Sequence, residues 1–253
     1  MLPAAARGIQ DGFTMYVGHI IIIGAMKAGT TTLHNLLSQH THIMMAHVNG
    51  YKSMKELDYF LKDRRRSYDH FFRKGAPEGA WTLEASPSYS KAYHENGSAE
   101  RIAALKKQKK LVYILRDPID RIDSHMSHNA SRGRNLQGPR GFRIYNDASR
   151  YWSHIQRFDA AGLSDSLLLL DFDDLCRDPV GSARKVQDFV GLGIEEPTDV
   201  RVHNSRRTAG RVLTREQERA HWGDVRPDVE ALAASGRFPP AQKWLDTWSA
   251  EFG

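Results

Sequence analysis

Residues His19 to Ile23 form an unbroken, mostly apolar run that stops at Gly24. The chain then reads Gly24-Ala25-Met26-Lys27-Ala28-Gly29-Thr30-Thr31-Thr32 and continues into a segment with leucines at 33, 36 and 37. A buried strand, a loop bounded by two glycines and a helix opened by threonines leave few folds available. In such a turn the N–H groups of the loop and of the first helical residues face one point, and the helix dipole favours negative charge there. The segment is therefore expected to be a phosphate-binding loop at a strand–helix junction. Gly24 and Gly29 permit the tight turn, while Thr30, Thr31 and Thr32 add hydroxyl donors and can cap the helix.

Three further apolar runs, Trp81 to Glu84, Leu111 to Leu115 and Leu167 to Leu170, carry the pattern of buried strands. Buried parallel strands are continuously apolar rather than alternating. Between and after them lie segments with helical periodicity: Thr31 to Gln39, Ala99 to Lys107, Arg150 to Ala160 and Val180 to Val190. Strands alternating with helices predict βαβ units and an α/β fold with a central, mostly parallel sheet flanked by helices. Ligands bind such sheets at the carboxyl ends of the strands. Two polar stretches interrupt the pattern. Arg132 to Asp147, with three glycines, a proline and four arginines, is expected to be a long functional or mobile loop. Glu195 to Arg211 is the other. Thr214 to Phe252 is expected to be helical and to dock through Trp244, Trp248 and Phe252. The organisation expected is a single domain over residues 1–253, with a core of about 18–211 and a helical segment, 212–253, packed on it.

Length and charge set outer limits. With 253 residues, 40% hydrophobic and 26% charged, the chain can bury one sizeable core. A net charge of +6 suits an anionic ligand. The charge is scattered, and no basic motif interleaved with aromatics appears, so nucleic-acid binding is not expected. Cys176 is the sole cysteine, which fits a reducing cytosol and leaves no cysteine-based metal cage. No apolar run approaches the roughly 20 residues of a membrane span. The N-terminus lacks the order of a signal peptide, so the chain is expected to be soluble and cytoplasmic. Oligomeric state is not legible.

The spacing Gly24-x4-Gly29 matches the start of a Walker A loop, but Thr30-Thr31 follow where that loop has Lys-Ser/Thr, and the lysine lies inside the turn at Lys27. A triphosphatase or kinase would also need a magnesium-holding carboxylate after an apolar strand, and Asp117 and Asp171 stand in such positions. A small-molecule or nucleotide kinase with a modified P-loop is thus the alternative reading. The run from Gly24 to Leu33 resembles the 5′-phosphosulfate loop of sulfotransferases that use 3′-phosphoadenosine 5′-phosphosulfate (PAPS), with Met26 where proline is usual. That resemblance implies a P-loop-like three-layer sandwich and assigns Lys27, Ala28, Gly29, Thr30, Thr31 and Thr32 to the cofactor.

A second anion site lies further along. Leu111 to Leu115 lead to Arg116-Asp117-Pro118, and Pro118 suits the first turn of a helix that reaches Ser124. An arginine fork and a serine hydroxyl about two helical turns on can face one phosphate. Arg116-x-Pro118-x-x-Arg121-x-x-Ser124 resembles the 3′-phosphate motif of the same family and implies Arg116 and Ser124 as its grip. Leu168 to Leu175, Asp178-Pro179 and Val186 to Leu192 resemble the family's late strand and helix. The run His203 to Arg211 falls where the family has a basic loop over the 3′-phosphate, which implies contact by Arg206, Arg207 or Arg211.

Sulfuryl transfer from PAPS to a hydroxyl or amine needs charge stabilisation at the leaving oxygen and removal of the acceptor proton, and in principle no metal. Lys27, a compact cation on the loop, suits the first task. Lys55-Glu56-x-x-Tyr59-Phe60 resembles the segment after the second strand in heparan-sulfate-type and bacterial sulfotransferases, where the glutamate is the base. That implies Glu56 as base, with His47 as the second candidate. Leu83-Glu84-Ala85-Ser86-Pro87-x-Tyr89 resembles the family's Glu-Lys-x-Pro-x-Tyr segment, with Ala85 in place of a lysine common in relatives with sugar substrates. Lys55, Glu84 and Ser86 are the residues expected to line the site of a small-molecule or carbohydrate-like acceptor. His34, His40, His42 and His47 cluster in sequence without a metal-site spacing. A catalytically idle anion-binding module is the remaining alternative.

Overall fold

The computed structural model describes residues 16–47, 54–72, 76–91, 97–134, 136, 138–201 and 210–253. Five strands form the sheet: β1 (Gly18–Gly24), β2 (Ile43–Met45), β3 (Trp81–Ala85), β4 (Gln108–Leu115) and β5 (Leu167–Asp171). Their order is β2-β3-β1-β4-β5, and every pairing is parallel. β1 is central and every residue in it is buried, which is why its sequence is apolar without alternation. The four expected strands are present with ends shifted by a residue or two, and β4 starts three residues earlier than its apolar run. β2 is only three residues long, too short to stand out as a run.

Nine helices cover the sheet among the described residues. In chain order they are α1 (Thr30–Leu37), α2 (Ser98–Ala103), α3 (Pro118–Ala130), α4 (Gly138–Asp147), α5 (Tyr151–Ala160), α6 (Phe172–Arg177), α7 (Pro179–Val190), α8 (Arg215–Ala234) and α9 (Pro240–Phe252). Their starts are written in the sequence: Asp117 caps α3 through the amides of Ile119 and Asp120, Asp178 caps α7, and Thr214 with Gln217 closes a capping box on α8. No helix among the described residues is long and apolar enough to cross a membrane.

The stretch Arg132 to Asp147 corrects the expectation of a long loop, because most of it is α4. Gly and Pro give it poor intrinsic propensity, and tertiary contacts override that. Tyr145 is buried, its ring edge-on to His125 at 4.8 Å, and Phe142 stacks on His221 of α8 at 4.5 Å. The C-terminal helices dock as expected. Trp244 packs on Tyr151 at 5.9 Å, and Trp248 Nε1 donates to Asp117 at 2.7 Å. Asp228 accepts from the amides of Trp152 and Ser153, which ties α8 to the start of α5.

Candidate active site

The carboxyl ends of β3, β1 and β4 bring together three turns. From β1 comes the glycine-bounded loop. Its crest residue, Lys27, lies at φ 71°, the left-handed region, and Gly29 at φ 82° is the N-cap of α1. Gly29 supplies no side-chain acceptor, and the first turn of α1 contains no acidic residue. The positive end of the helix is thus left for an external anion. A Cβ on Gly29 would lie 2.8 Å from Leu175 Cδ2, so α6 holds the loop from one side. At the other end a Cβ on Gly24 would lie 2.3 Å from Ser90 Oγ, so the turn after β3 presses on the loop's first residue. Thr30 and Thr32 are buried, and Thr31 is half-buried.

From β4 comes Arg116. Its Nη1 donates to the Lys27 carbonyl at 3.0 Å, its guanidinium lies over the Phe172 ring at 4.5 Å, and its own carbonyl accepts from Tyr151 Oη at 2.8 Å. Ser124 is half-buried on α3. Arg121, the middle residue of the motif, points away from solvent altogether. It is fully buried and donates to Ser149 Oγ at 2.6 Å, to the Tyr145 carbonyl at 2.5 Å and toward His125 Nδ1 at 3.3 Å. Its task is to lock α3 against the α4–α5 junction.

The segment between β2 and β3 supplies Lys55 and Glu56. Lys55 Nζ lies 2.8 Å from Glu56 Oε1 and donates to Thr31 Oγ1 at 3.0 Å, so this pair stands directly beside the phosphate loop. Glu56 is half exposed and free to meet an acceptor. His47 is exposed after the end of β2, with its amide on the Phe71 carbonyl. Glu84 and Ser86 depart from the expected role, since both have 0% exposure and face the protein rather than an acceptor. Glu84 accepts from Tyr68 Oη at 2.8 Å, Tyr89 Oη at 3.0 Å, Ser86 Oγ at 2.7 Å and the Leu57 amide at 3.3 Å. Burial pushes its carboxyl up to about 7, against the pull of those donors.

One basic side chain at this end was not read from the sequence. Lys91, after the β3 turn, is buried, and burial lowers its pKa, opposed by Asp58 and Glu56 and helped by Arg121. His125 is pulled down to about 2 by burial and by the charges of Arg121, Lys91 and Lys27. The imidazole is thus held neutral, by burial first and by the nearby cations next. No motif flags Lys91; only the fold brings it to the loop. Arg211 is paired with Asp120 at 2.5 Å and Glu218 at 2.7 Å and lies over the Trp248 ring. Arg206 and Arg207 lie outside the described residues. The carboxylates that a magnesium-dependent kinase would use are committed as helix caps: Asp117 to α3 and Trp248, Asp171 to the amide of Asp173. His40 and His42 meet Glu195, but both ring nitrogens of His40 are engaged, one by the Gly193 carbonyl and one by the His42 amide. That cluster fastens the turn before β2 to residues 193–195.

A glycine-bounded loop on a central parallel strand, joined by an arginine from the next strand, defines a P-loop-like α/β protein. The chain belongs to the sulfotransferase family, whose domain profile matches residues 18–209. It is 26% identical over 209 residues to heparan sulfate glucosamine 3-O-sulfotransferase 3A1 of Mus musculus, covering 75% of this chain and 50% of that protein. It is 25% identical over 197 residues to bifunctional heparan sulfate N-deacetylase/N-sulfotransferase 2 of Homo sapiens, covering 68% of this chain and 22% of that one. The chain thus spans half or less of the length of these relatives. Among solved structures, a sulfotransferase from Alicyclobacillus acidocaldarius shares the fold with a TM-score of 0.66 and 24% identity, over 85% of this chain and 94% of that one.

Proposed function

We propose that this chain is a sulfotransferase that moves the sulfuryl group of PAPS to a hydroxyl or amine of a small-molecule or carbohydrate-like acceptor. The observation that carries the reading is the bond from Arg116 to the Lys27 carbonyl, which couples a 5′-phosphosulfate loop to a 3′-phosphate arginine. The donor set fits a bisphosphorylated anion. It comprises helix-start amides without a side-chain cap, threonine hydroxyls, a lysine on the crest and an arginine half-buried over Phe172. PAPS supplies a sulfuryl group on a good leaving group. Lys27 stabilises the negative charge that develops at the loop, Arg116 and Ser124 hold the 3′ end, and Glu56 takes the acceptor proton. Lys55 holds Glu56 beside α1 and balances its charge. The names of the relatives support both acceptor atoms, oxygen and nitrogen.

Thermal unfolding with adenosine 3′,5′-bisphosphate, with ATP and magnesium, and with neither tests the reading, since a ligand bound only by the folded state raises Tm. The bisphosphate should stabilise the chain. Stabilisation by ATP with magnesium and none by the bisphosphate would overturn the assignment.

A further inference from the structure

The three amides that follow Glu56 all end on one buried carboxylate. The Leu57 N–H donates to Glu84 Oε2 at 3.3 Å. The Asp58 N–H donates to Ser86 Oγ at 3.0 Å, and Ser86 donates onward to Glu84 at 2.7 Å. The Tyr59 N–H donates to Tyr89 Oη at 2.8 Å, and Tyr89 donates onward to Glu84 at 3.0 Å. Successive amides of an extended chain point in opposite directions. Here Asp58, in the left-handed region at φ 47°, and the short 3-10 turn Tyr59–Leu61 bend them to one side. The result is three N–H groups turned to one side, the first bonded directly to the Glu84 carboxylate and the other two linked to it through hydroxyls. On the other flank of Glu56, the Lys55 carbonyl accepts from the Ala85 amide at 2.8 Å, so the glutamate is held from both sides by β3 and its turn.

We propose that Glu84, as the ionised carboxylate, is the positioning residue that fixes the backbone of Glu56 over the phosphate loop. Its remaining donor, Tyr68 Oη at 2.8 Å, leaves both carboxylate oxygens fully engaged by donors. Every neighbour donates, so these hydrogen bonds favour the charged form; protonation would require one of the hydroxyls to turn from donor to acceptor and give up its bond to Glu84. The titratable groups against it are Tyr68 and Tyr89, and both are pushed well up from the tyrosine range, burial first and Glu84 next. They stay neutral while Glu84 titrates at about 7. The inference rests on the assignment of Glu56 as base in the sulfotransferase reading; the anchoring itself does not.

Amide hydrogen exchange tests it. In the wild type, protection factors of Leu57, Asp58 and Tyr59 should fall as pH drops through about 7, while those of α1 hold. Glu84→Gln should lower all three about tenfold above pH 7, the loss of charge-assisted bonds worth ~1.4 kcal/mol, and should match the wild type well below it. Tyr89→Phe should lower Tyr59 and spare Leu57. PAPS turnover should lose the part of its acid limb near pH 7 in Glu84→Gln, with adenosine 3′,5′-bisphosphate affinity unchanged. Equal protection in Glu84→Gln above pH 7, or a loss shared with β3 and α1, overturns the proposal. If Glu84→Gln does not fold, the wild-type pH series and Tyr89→Phe decide it alone. Bisphosphate binding by the wild type judges the sulfotransferase reading separately: no binding together with Glu84-dependent protection would remove the reading and leave the anchor.

Discussion

Lys27 holds a left-handed backbone that costs an L-residue about 1–2 kcal/mol, and the loop maintains it between Ser90 on one side and Leu175 on the other. In the proposed reaction, strain kept at the crest of the loop fixes where the Lys27 ammonium projects. Lys27→Ala is expected to lower turnover of labelled PAPS by roughly 10²–10³. Arg116→Ala should act mainly on affinity, weakening adenosine 3′,5′-bisphosphate by about 10–100-fold in a titration, as expected for a lost charge-assisted contact. Glu56→Gln is expected to reduce turnover by about 10²–10⁴ with bisphosphate affinity kept; unchanged turnover would remove Glu56 as base and direct attention to His47. Lys27, Arg116 and Glu56 could be named from the sequence because each belongs to a motif of local spacing. Glu84 was named too, but for the wrong surface. Its segment marks it out, whereas its direction depends on Tyr68 and Leu57, which only the folded chain brings near. Lys91 belongs to no motif and could not be found that way.

At the scale of elements, the strands and the phosphate-site helices were legible because apolar runs and caps are local signals. β2, three residues long, and α6, six residues starting directly from β5, carry too little pattern. α4 was misread for a different reason: its stability comes from partners on α3 and α8, not from its composition. The start of α1 is the most exacting local feature. Gly29 combines φ 82° with a contact at 2.8 Å that a methyl group would make to Leu175. Gly29→Ala should destabilise by about 1–2 kcal/mol from the backbone alone. Thermal unfolding would read that as a fall of about 2–4 °C per kcal/mol. Because the same residue leads into the anion-facing amides, bisphosphate affinity should fall with it.

For the whole molecule, buried titratable groups set the response to pH. His19, His34 and His221 are pulled down to about 4, His154 to about 3 and His125 to about 2, each with burial as the first cause. A depressed histidine contributes stability that is present above its unfolded value near 6.5 and is lost as pH falls toward its folded value. Glu84 at about 7 and Asp117 at about 6 work in reverse. Their contribution is present at acid pH and is lost as pH rises through those values. Asp147, Asp171 and Asp228 are raised too, by smaller amounts. The five histidines outweigh these carboxyls, so the unfolded chain binds more protons in mildly acidic solution and Tm should fall from pH 7.5 to pH 5. Glu84→Gln removes one opposing group and should make that fall steeper. A flat or rising Tm toward pH 5 would contradict this balance.

The bond between Arg116 and the Lys27 carbonyl also governs how damage propagates. Two grips that touched only their ligand would fail independently, and their losses would add. These grips share a backbone atom, so removing the arginine also slackens the peptide that aims the lysine. The loss in the Lys27→Ala, Arg116→Ala double variant should therefore be less than the sum of the two single losses, with a coupling of about 0.5–3 kcal/mol in a double-mutant cycle on turnover. Each end of the clamp serves as part of the other's foundation.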